Sequence, residues 1–406
     1  SMSGPLEGTL VLDLSRVLAG PWASQSLADL GARVIKVERP GRGDDTRSWG
    51  PPYLEAAGSR ESAYFLSANR GKESIAIDFK DPRGQSILRK LVRKADILIE
   101  NYKVGGLVPY GLDYDSIRKI NPAIVYCSIS GFGQTGPYAK KPGYDFMIQA
   151  MSGLMSITGL EEPTKVGVAV SDLIAGLYAG VGILGAYTRA RETGQGEFID
   201  VSLLDSQLAT LANQASSYLV SGQSPGLSGN AHPNIVPYQV FETADNPIVV
   251  AVGNDEQFAS LCRVIEREEL LGDPRFMINS ARVANRELLV PVIATALAEH
   301  TAQHWLEVLE ENGIPVAPVN SIAEAFTDSH VTARSVVMQL ERSDLGVVPG
   351  VRSPLRFKNQ SLDQDRAPPA LGDSTVAVLS EIGLSDMDID ILLADGVAAK
   401  PDQGLI

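Results

Sequence analysis

Between positions 9 and 129, short apolar runs alternate with stretches of helical pattern, and this rhythm constrains the fold more than any other feature of the chain. TLVLDL at 9–14 reads as a buried strand, followed by a loop at Gly20-Pro21, a helix to about Leu30 and a second strand over 33–38. The unit recurs with a strand at 74–78, a helix after Pro82, DILIE at 96–100 and AIVYCSI at 123–129. Strands that alternate with helices imply a mostly parallel sheet covered by helices on both faces, so the expected class is α/β.

The rhythm changes after Gly196. EFIDVS reads as a strand leading into a helix from Leu203 to about Leu219, and SGQSPGLSGNAHPN at 221–234 has no periodicity and reads as a linker. Beyond it, paired strands over 238–243 and 247–252 precede helical segments up to Glu311, a pattern suited to a smaller α+β unit. GIPVAPVNS at 313–321 and RAPPALGDS at 366–374 read as connections. A chain of 406 residues is long enough for two such domains. One stretch, 173–187, holds no charged residue; at fifteen residues it falls short of the roughly 20 needed to span a bilayer, so a buried helix is expected and no membrane partner.

A formal charge of −14 opposes a phosphate backbone, so no nucleic-acid partner is expected. Cys127 and Cys262 lie too far apart in sequence for a disulfide framework or a zinc spacing, which fits a reducing, cytoplasmic setting. The start Ser1-Met2-Ser3 lacks a basic segment followed by an apolar one, so no targeting signal is expected.

Several motifs compete for the chemistry. GFGQTG at 131–136 matches a dinucleotide fingerprint after a strand, yet PYAKKPGYD follows where the fingerprint needs a helix N-terminus. His300 and His304 are spaced for one helix face, but no HExxH or third ligand accompanies them, so no metal is expected; Thr301 is placed to cap a helix there. There is no GxSxG. Arg39, Arg42, Arg47, Arg70, Lys72 and Lys80 recur in loops and at strand ends, where parallel sheets bind ligands, and suit a phosphorylated ligand. Asp172 stands in VGVAVSDLIAGLYAG, where an ionised carboxylate is costly without a specific environment. Its chemistry leaves two readings open: a helix cap, or a nucleophile or base.

Taken in order, VLDLSRVLAGP at 11–21, VIKVERPGRGDDTR at 34–47, NRGKESIAIDFK at 69–80, IENY at 99–102, GVAVSDLIAGLY at 167–178 and APPALGDST at 367–375 resemble the family III coenzyme A transferases (CaiB/BaiF, formyl-CoA transferase-like) over nearly the whole chain. NAHPNIVPYQVF at 230–241 is similar to the succinate–hydroxymethylglutarate CoA-transferase branch. The resemblance implies an interlocked homodimer and a Rossmann-like large domain built from 1–225 and 331–406 around a small α+β domain at 226–330. It implies Asp172 as nucleophile, with CoA contacts at Leu18, Ala19, Arg39, Ile77, Asp78, Phe79, Lys80, Asn101, Tyr102, Lys103, Pro142, Gly143, Tyr144 and Asp145. Coenzyme A would be a substrate, and no prosthetic group is expected.

The chain departs from formyl-CoA transferases at Leu18, where they carry glutamine, at Pro109 for an arginine and at Pro142 for a lysine. It also lacks their glycine-rich loop, the nearest segment being 230–239, from which His232, Asn234 and Tyr238 are candidate acid-binding residues. Oxalate and formate are therefore not the expected acids; succinyl-CoA with a dicarboxylate is. The alternatives are an α-methylacyl-CoA racemase, which would need a histidine where Tyr144 stands, and a non-catalytic acyl-CoA-binding protein. In the expected reaction Asp172 attacks the thioester to form a mixed anhydride and then an aspartyl-CoA thioester. Backbone N–H groups at the helix start and in loop 131–136 are the expected oxyanion donors.

Overall fold

The computed structural model describes residues 4–401; Ser1–Ser3 and the signal argument drawn from them lie outside it. The chain divides into two compact units. The first comprises the chain up to Gly153, Val166–Val220 and Arg334 onward, and the second Leu154–Lys165 with Ser221–Ala333. The sequence boundaries of 225/226 and 330/331 compare with breaks at 220/221 and 333/334, and residues 154–165, assigned above to the large domain, group with the second unit.

In the first unit six parallel strands, β1 (Leu10–Asp13), β2 (Arg33–Glu38), β3 (Lys72–Ile77), β4 (Ile97–Glu100), β5 (Val125–Ser130) and β6 (Glu197–Ser202), form a sheet in the order β3-β2-β1-β4-β5-β6. A short antiparallel strand, Ala398–Ala399, closes the β3 edge. Strand residues alternate between two cores, as the two-residue period of a strand requires. Leu12, Ile35, Leu98 and Tyr126 point to one face with Leu88 and Leu91, and Val11, Val34, Ile97 and Val125 to the other with Ala23 and Leu27.

The helices that position the site are α1 (Ala19–Asp29), α2 (Ala63–Ala68), α3 (Pro82–Lys94), α4 (Tyr114–Ile120), α5 (Asp145–Met151) and α6 (Val170–Thr193). α3 starts where the sequence dictates: the Asp81 side chain accepts from Arg83 N, Pro82 occupies the first turn, and Arg93 and Lys94 meet the negative end of the dipole. Gly20-Pro21 is not a loop but part of the first turn of α1, where proline lacks no needed N–H. The length argument applied to 173–187 does not hold, because α6 has 24 residues and is, among the described residues, the one helix long and apolar enough to cross a membrane. Its Ala175, Ala179 and Ile183 are buried, whereas Leu177 and Val181 are exposed. Gly176 sets the α1–α6 approach: a Cβ there would lie 2.6 Å from the Ala19 carbonyl oxygen, so any larger residue pushes the helices apart.

The helix expected over 203–219 breaks into Leu203–Ala209 and Asn213–Ser221, with Ala212 at φ 50° interrupting the ladder. The second unit holds an antiparallel sheet of β7 (Tyr238–Phe241), β8 (Ile248–Ala251) and β9 (Val316–Pro318), in the order β9-β8-β7. β9 lies in the segment read as a bare connection; its prolines, Pro315 and Pro318, conceal an edge strand, where a missing N–H is tolerated. Helices spanning Asp255–Val264, Arg286–Leu297 and Ala302–Glu311 bury Phe258, Leu261, Leu289, Ile293, Trp305 and Leu309 in its core.

Candidate active site

The chain order of the large sheet reverses between β1 and β4, since β2 and β3 lie on one side and β5 and β6 on the other. Such a reversal opens a crevice outside the carboxyl ends of the two strands, because the loops that leave them diverge. Here those loops are Ser15–Leu18 and Asn101–Lys103. They are tied together at the crevice, with Arg16 N donating to Asn101 Oδ1 (3.0 Å) and Asn101 Nδ2 donating to the Arg16 carbonyl (2.7 Å). Val17 sits at φ 73°, a conformation that costs a β-branched residue about 1–3 kcal/mol. Its N–H is held by both carboxylate oxygens of Asp44, each at 3.2 Å. Burial works against the charge of Asp44, but Lys36 Nζ at 2.9 Å keeps its carboxyl below the ordinary range.

Asp172 lies in the first turn of α6, yet it does not cap that helix. The N-cap residue, Ala169, has no side chain to do so. Asp145 takes the role from α5: its Oδ1 accepts from Ser171 N (2.7 Å) and Asp172 N (3.1 Å), and its Oδ2 from Gln149 Nε2 (2.7 Å). Gln149 is fixed in turn, its Oε1 accepting from Val166 N at 2.9 Å. The Asp172 carboxylate is left half-buried, and among the described residues no hydrogen bond reaches it. Burial pushes its pKa up to about 7, and the neighbouring Asp145 charge adds to the shift. Of the two readings open for Asp172, the cap is therefore set aside.

This arrangement stores instability that can be measured. Because the folded-state pKa of Asp172 lies above the unfolded one, the native protein binds more protons between about pH 4 and pH 7, and stability falls as pH rises through that window. Asp172→Asn removes the ionising group and should stabilise the protein by about 1–2 kcal/mol at pH 8 and by little at pH 4. Denaturant melts at the two pH values check this, and an equal effect at both would contradict it.

Tyr64, which no sequence pattern marked, belongs to the same site. Burial and then the charges of Asp172, Asp145 and Asp44 push its phenol up to about 12, and the Trp49 ring meets it edge-on at 5.3 Å. The only signal for it in sequence is Ser62, which caps the short helix α2 by accepting from Phe65 N.

The other residues singled out divide into groups. Leu18 and Ala19 open α1 and are buried, and Asn101 and Tyr102 line the crevice. Ile77 ends β3; Asp78 accepts from Lys80 N, and Phe79 packs edge-on against Tyr102 and Tyr110. Lys80 and Lys103 are exposed, and Pro142, Gly143 and Tyr144 lead into α5, with Tyr144 72% exposed. Arg39 is exposed at the end of β2 and pairs with Asp45 at 2.9 Å.

Three basic residues read as ligand contacts are instead buried and paired within the fold. Arg47 is closed by Glu38 and Glu61, Arg70 by Asp29, and Lys72 by Asp13, Asn69 and the Pro21 carbonyl. Four of the expected oxyanion donors are also occupied: Ser171 N and Asp172 N bond Asp145, Gly133 N bonds Ser130 Oγ, and Gln134 N bonds the Asp200 carboxylate. In the second unit His232, Asn234 and Tyr238 gather in one turn. His232 Nδ1 accepts from Asn234 N (3.0 Å), its ring meets Tyr238 edge-on at 5.1 Å, and Asn279 Nδ2 donates to the Asn234 carbonyl. His300 stacks on His304 at 4.2 Å, and Thr301 caps the helix that carries His304.

With this geometry in place, the sequence profile of CoA-transferase family III matches residues 6–375. The chain belongs to CoA-transferase family III. It is 49% identical to a succinate–glutarate CoA-transferase of Agrobacterium fabrum, over 93% of this chain and 96% of that protein. It is 44% identical to an acetyl-CoA:oxalate CoA-transferase of Acetobacter aceti, over 83% of this chain and 86% of that protein. Its fold matches the crystal structure of a CaiB/BaiF family protein from Brucella suis with a TM-score of 0.84 at 46% identity, covering 94% of this chain and all of the other. The protein is thus a CoA-transferase, acting on an acyl-CoA and a carboxylic acid, with the α/β fold of the CaiB/BaiF family.

Proposed function

We propose that this family III enzyme exchanges CoA between succinyl-CoA and a small dicarboxylic acid such as glutarate, with Asp172 as the covalent carrier. The observation that carries the reading is the Asp172 carboxylate itself: half-buried, without a hydrogen bond to its side chain among the described residues, and raised to about 7 while its own backbone N–H is held by Asp145. A carboxylate so destabilised is a stronger nucleophile than one in water, and as a neutral acyl derivative it no longer suffers the burial or the Asp145 repulsion.

The steps follow from that position. One Asp172 oxygen attacks the thioester carbonyl, and the C–S bond breaks to give a mixed anhydride and CoA thiolate. The thiolate attacks the aspartyl carbonyl and releases the donor carboxylate, leaving an aspartyl-CoA thioester. The acceptor carboxylate then repeats the sequence in reverse, so that acyl-CoA leaves and Asp172 is regenerated. Because four of the backbone donors first expected to meet the oxyanions are already bonded, we assign an oxyanion donor role to the Tyr64 phenol, which is un-ionised at neutral pH and feels the Asp172 charge. Arg39, Lys80 and Lys103 remain for the phosphates of CoA. The same reading includes an interlocked homodimer working in the cytoplasm without a prosthetic group.

The acid is the open choice, because relatives of similar identity are named for glutarate and for oxalate. We assign the dicarboxylate-binding side to His232 and Asn234. A panel of acids with succinyl-CoA as donor, read by chromatography of the CoA esters, tests both points. Glutarate should react with a kcat/KM at least about tenfold above oxalate, and His232→Ala should raise the KM of glutarate more than that of a monocarboxylate, since an unpaired distal carboxylate costs about 1–3 kcal/mol. Oxalate as the better acceptor would overturn the acid, and equal effects of His232→Ala on both acids would remove that segment from the site.

A further inference from the structure

The loop after β1 carries a cation whose N–H groups find no acceptor among the described residues. The Arg16 guanidinium makes no hydrogen bond and no ion pair among the described residues, and its Nε is the one buried side-chain nitrogen or oxygen among them that lacks a partner. Leaving a buried donor unpaired costs about 1–3 kcal/mol, so it persists only where something else selects for it. Other sequestered arginines of this protein are closed: Arg47 on Glu38 and Glu61, Arg70 on Asp29, Arg282 on Asp255, Arg342 on Glu61 and Asp344.

The surroundings fix Arg16 in place without consuming its donors. Asn101 holds its backbone from both sides, and the next residue, Val17, is held in its left-handed conformation by Asp44. The guanidinium carbon lies 3.9 Å from the centre of the Tyr102 ring, a stacking contact that occupies one face and leaves the N–H fork free in the plane. The nearby Glu100 carboxyl, which burial pushes up to about 7 although the Arg16 charge opposes this, accepts from Tyr102 N at 2.9 Å and forms no ion pair with Arg16. All of this stands at the β1/β4 crevice, where a sheet of this topology takes its ligand.

We propose that Arg16 is a substrate-binding residue that receives an oxyanion of the substrate in the plane of a guanidinium already oriented over Tyr102. The inference rests on the CoA-transferase reading of the site, which supplies two oxyanions of fitting chemistry: the distal carboxylate of the dicarboxylic acid and the diphosphate of the CoA ester. A planar fork with two parallel N–H donors matches either.

The full-length protein carrying Arg16→Met or Arg16→Lys distinguishes them. Calorimetric titration with free CoA needs no turnover, and steady-state kinetics with succinyl-CoA compares glutarate with a five-carbon monocarboxylate. If the diphosphate is held, Arg16→Met weakens CoA binding at least tenfold and leaves the ratio of the two acids unchanged. If the distal carboxylate is held, the KM for glutarate rises at least tenfold while CoA binding, kcat and the KM for the monocarboxylate stay within twofold. In either case Arg16→Lys, which keeps the charge but loses the fork, falls between Met and the native protein. CoA affinity and both acid KM values all within twofold of native would overturn the proposal. So would a uniform loss across kcat, both acids and CoA with a lowered melting temperature, which marks Arg16 as structural. Wild-type protein that binds CoA but transfers to no acid would instead count against the transfer reading and leave the calorimetric arm standing.

Discussion

Asp172→Ala and Asp172→Asn should each lower CoA transfer by at least about 10⁴-fold, because they remove the only atom proposed to carry the acyl group and no neighbouring group can replace a covalent step. Binding of free CoA should survive in both, since the phosphate-binding residues proposed for CoA lie on other loops. Initial-rate kinetics of the native enzyme should be ping-pong, with donor acid released before acceptor is consumed. Transfer retained within tenfold in the Asn variant would end the covalent account, and sequential kinetics would end the order of steps.

Asp145→Asn should move the acidic limb of kcat/KM to lower pH by about one unit. The native limb is expected near pH 7, because the nucleophile is the ionised form and activity is lost as pH falls through the folded-state pKa of Asp172. Burial is the larger cause of that raised value and Asp145 the second, so neutralising Asp145 relaxes the second part only. Asparagine keeps an oxygen for the N–H groups of Ser171 and Asp172, but its amide meets Gln149 Nε2 donor to donor. Asp145→Ala removes the cap as well and should cost about 1 kcal/mol of stability. A limb already near pH 4 in the native enzyme, or one unmoved in Asp145→Asn, would show that Asp145 does not tune the nucleophile.

These two carboxylates show where sequence reasoning succeeds and where it stops. The parallel sheet is legible because strands buried on both faces, such as VIKVE and DILIE, are near-continuous apolar runs, and Pro82 with its capping Asp81 marks a helix start directly. Asp172 stands out because a charge in an uncharged stretch demands a reason. Its environment is not legible. The cap comes from a residue 27 positions earlier, and Tyr64, which shares the site, lies more than 100 positions away. The basic loops mislead for a related reason: nothing local says that Lys72 will be sealed beside Asp13 while Arg39 stays exposed, since burial of a cation is decided by the carboxylate that the fold brings to it. Arg16 is the converse, a cation that attracts no attention in sequence and becomes informative only when the fold leaves it unpaired.

The central claim is that Asp172 becomes covalently loaded. The most direct measurement is mass spectrometry of the Asp172 peptide after incubating the native enzyme with succinyl-CoA and quenching with hydroxylamine, which converts an activated aspartyl carbonyl to the hydroxamate. The account predicts a hydroxamate on Asp172 that disappears when an excess of acceptor acid is added before the quench, and none in Asp172→Asn. An unmodified Asp172 in enzyme that is turning over, or a hydroxamate on another carboxylate, would contradict it.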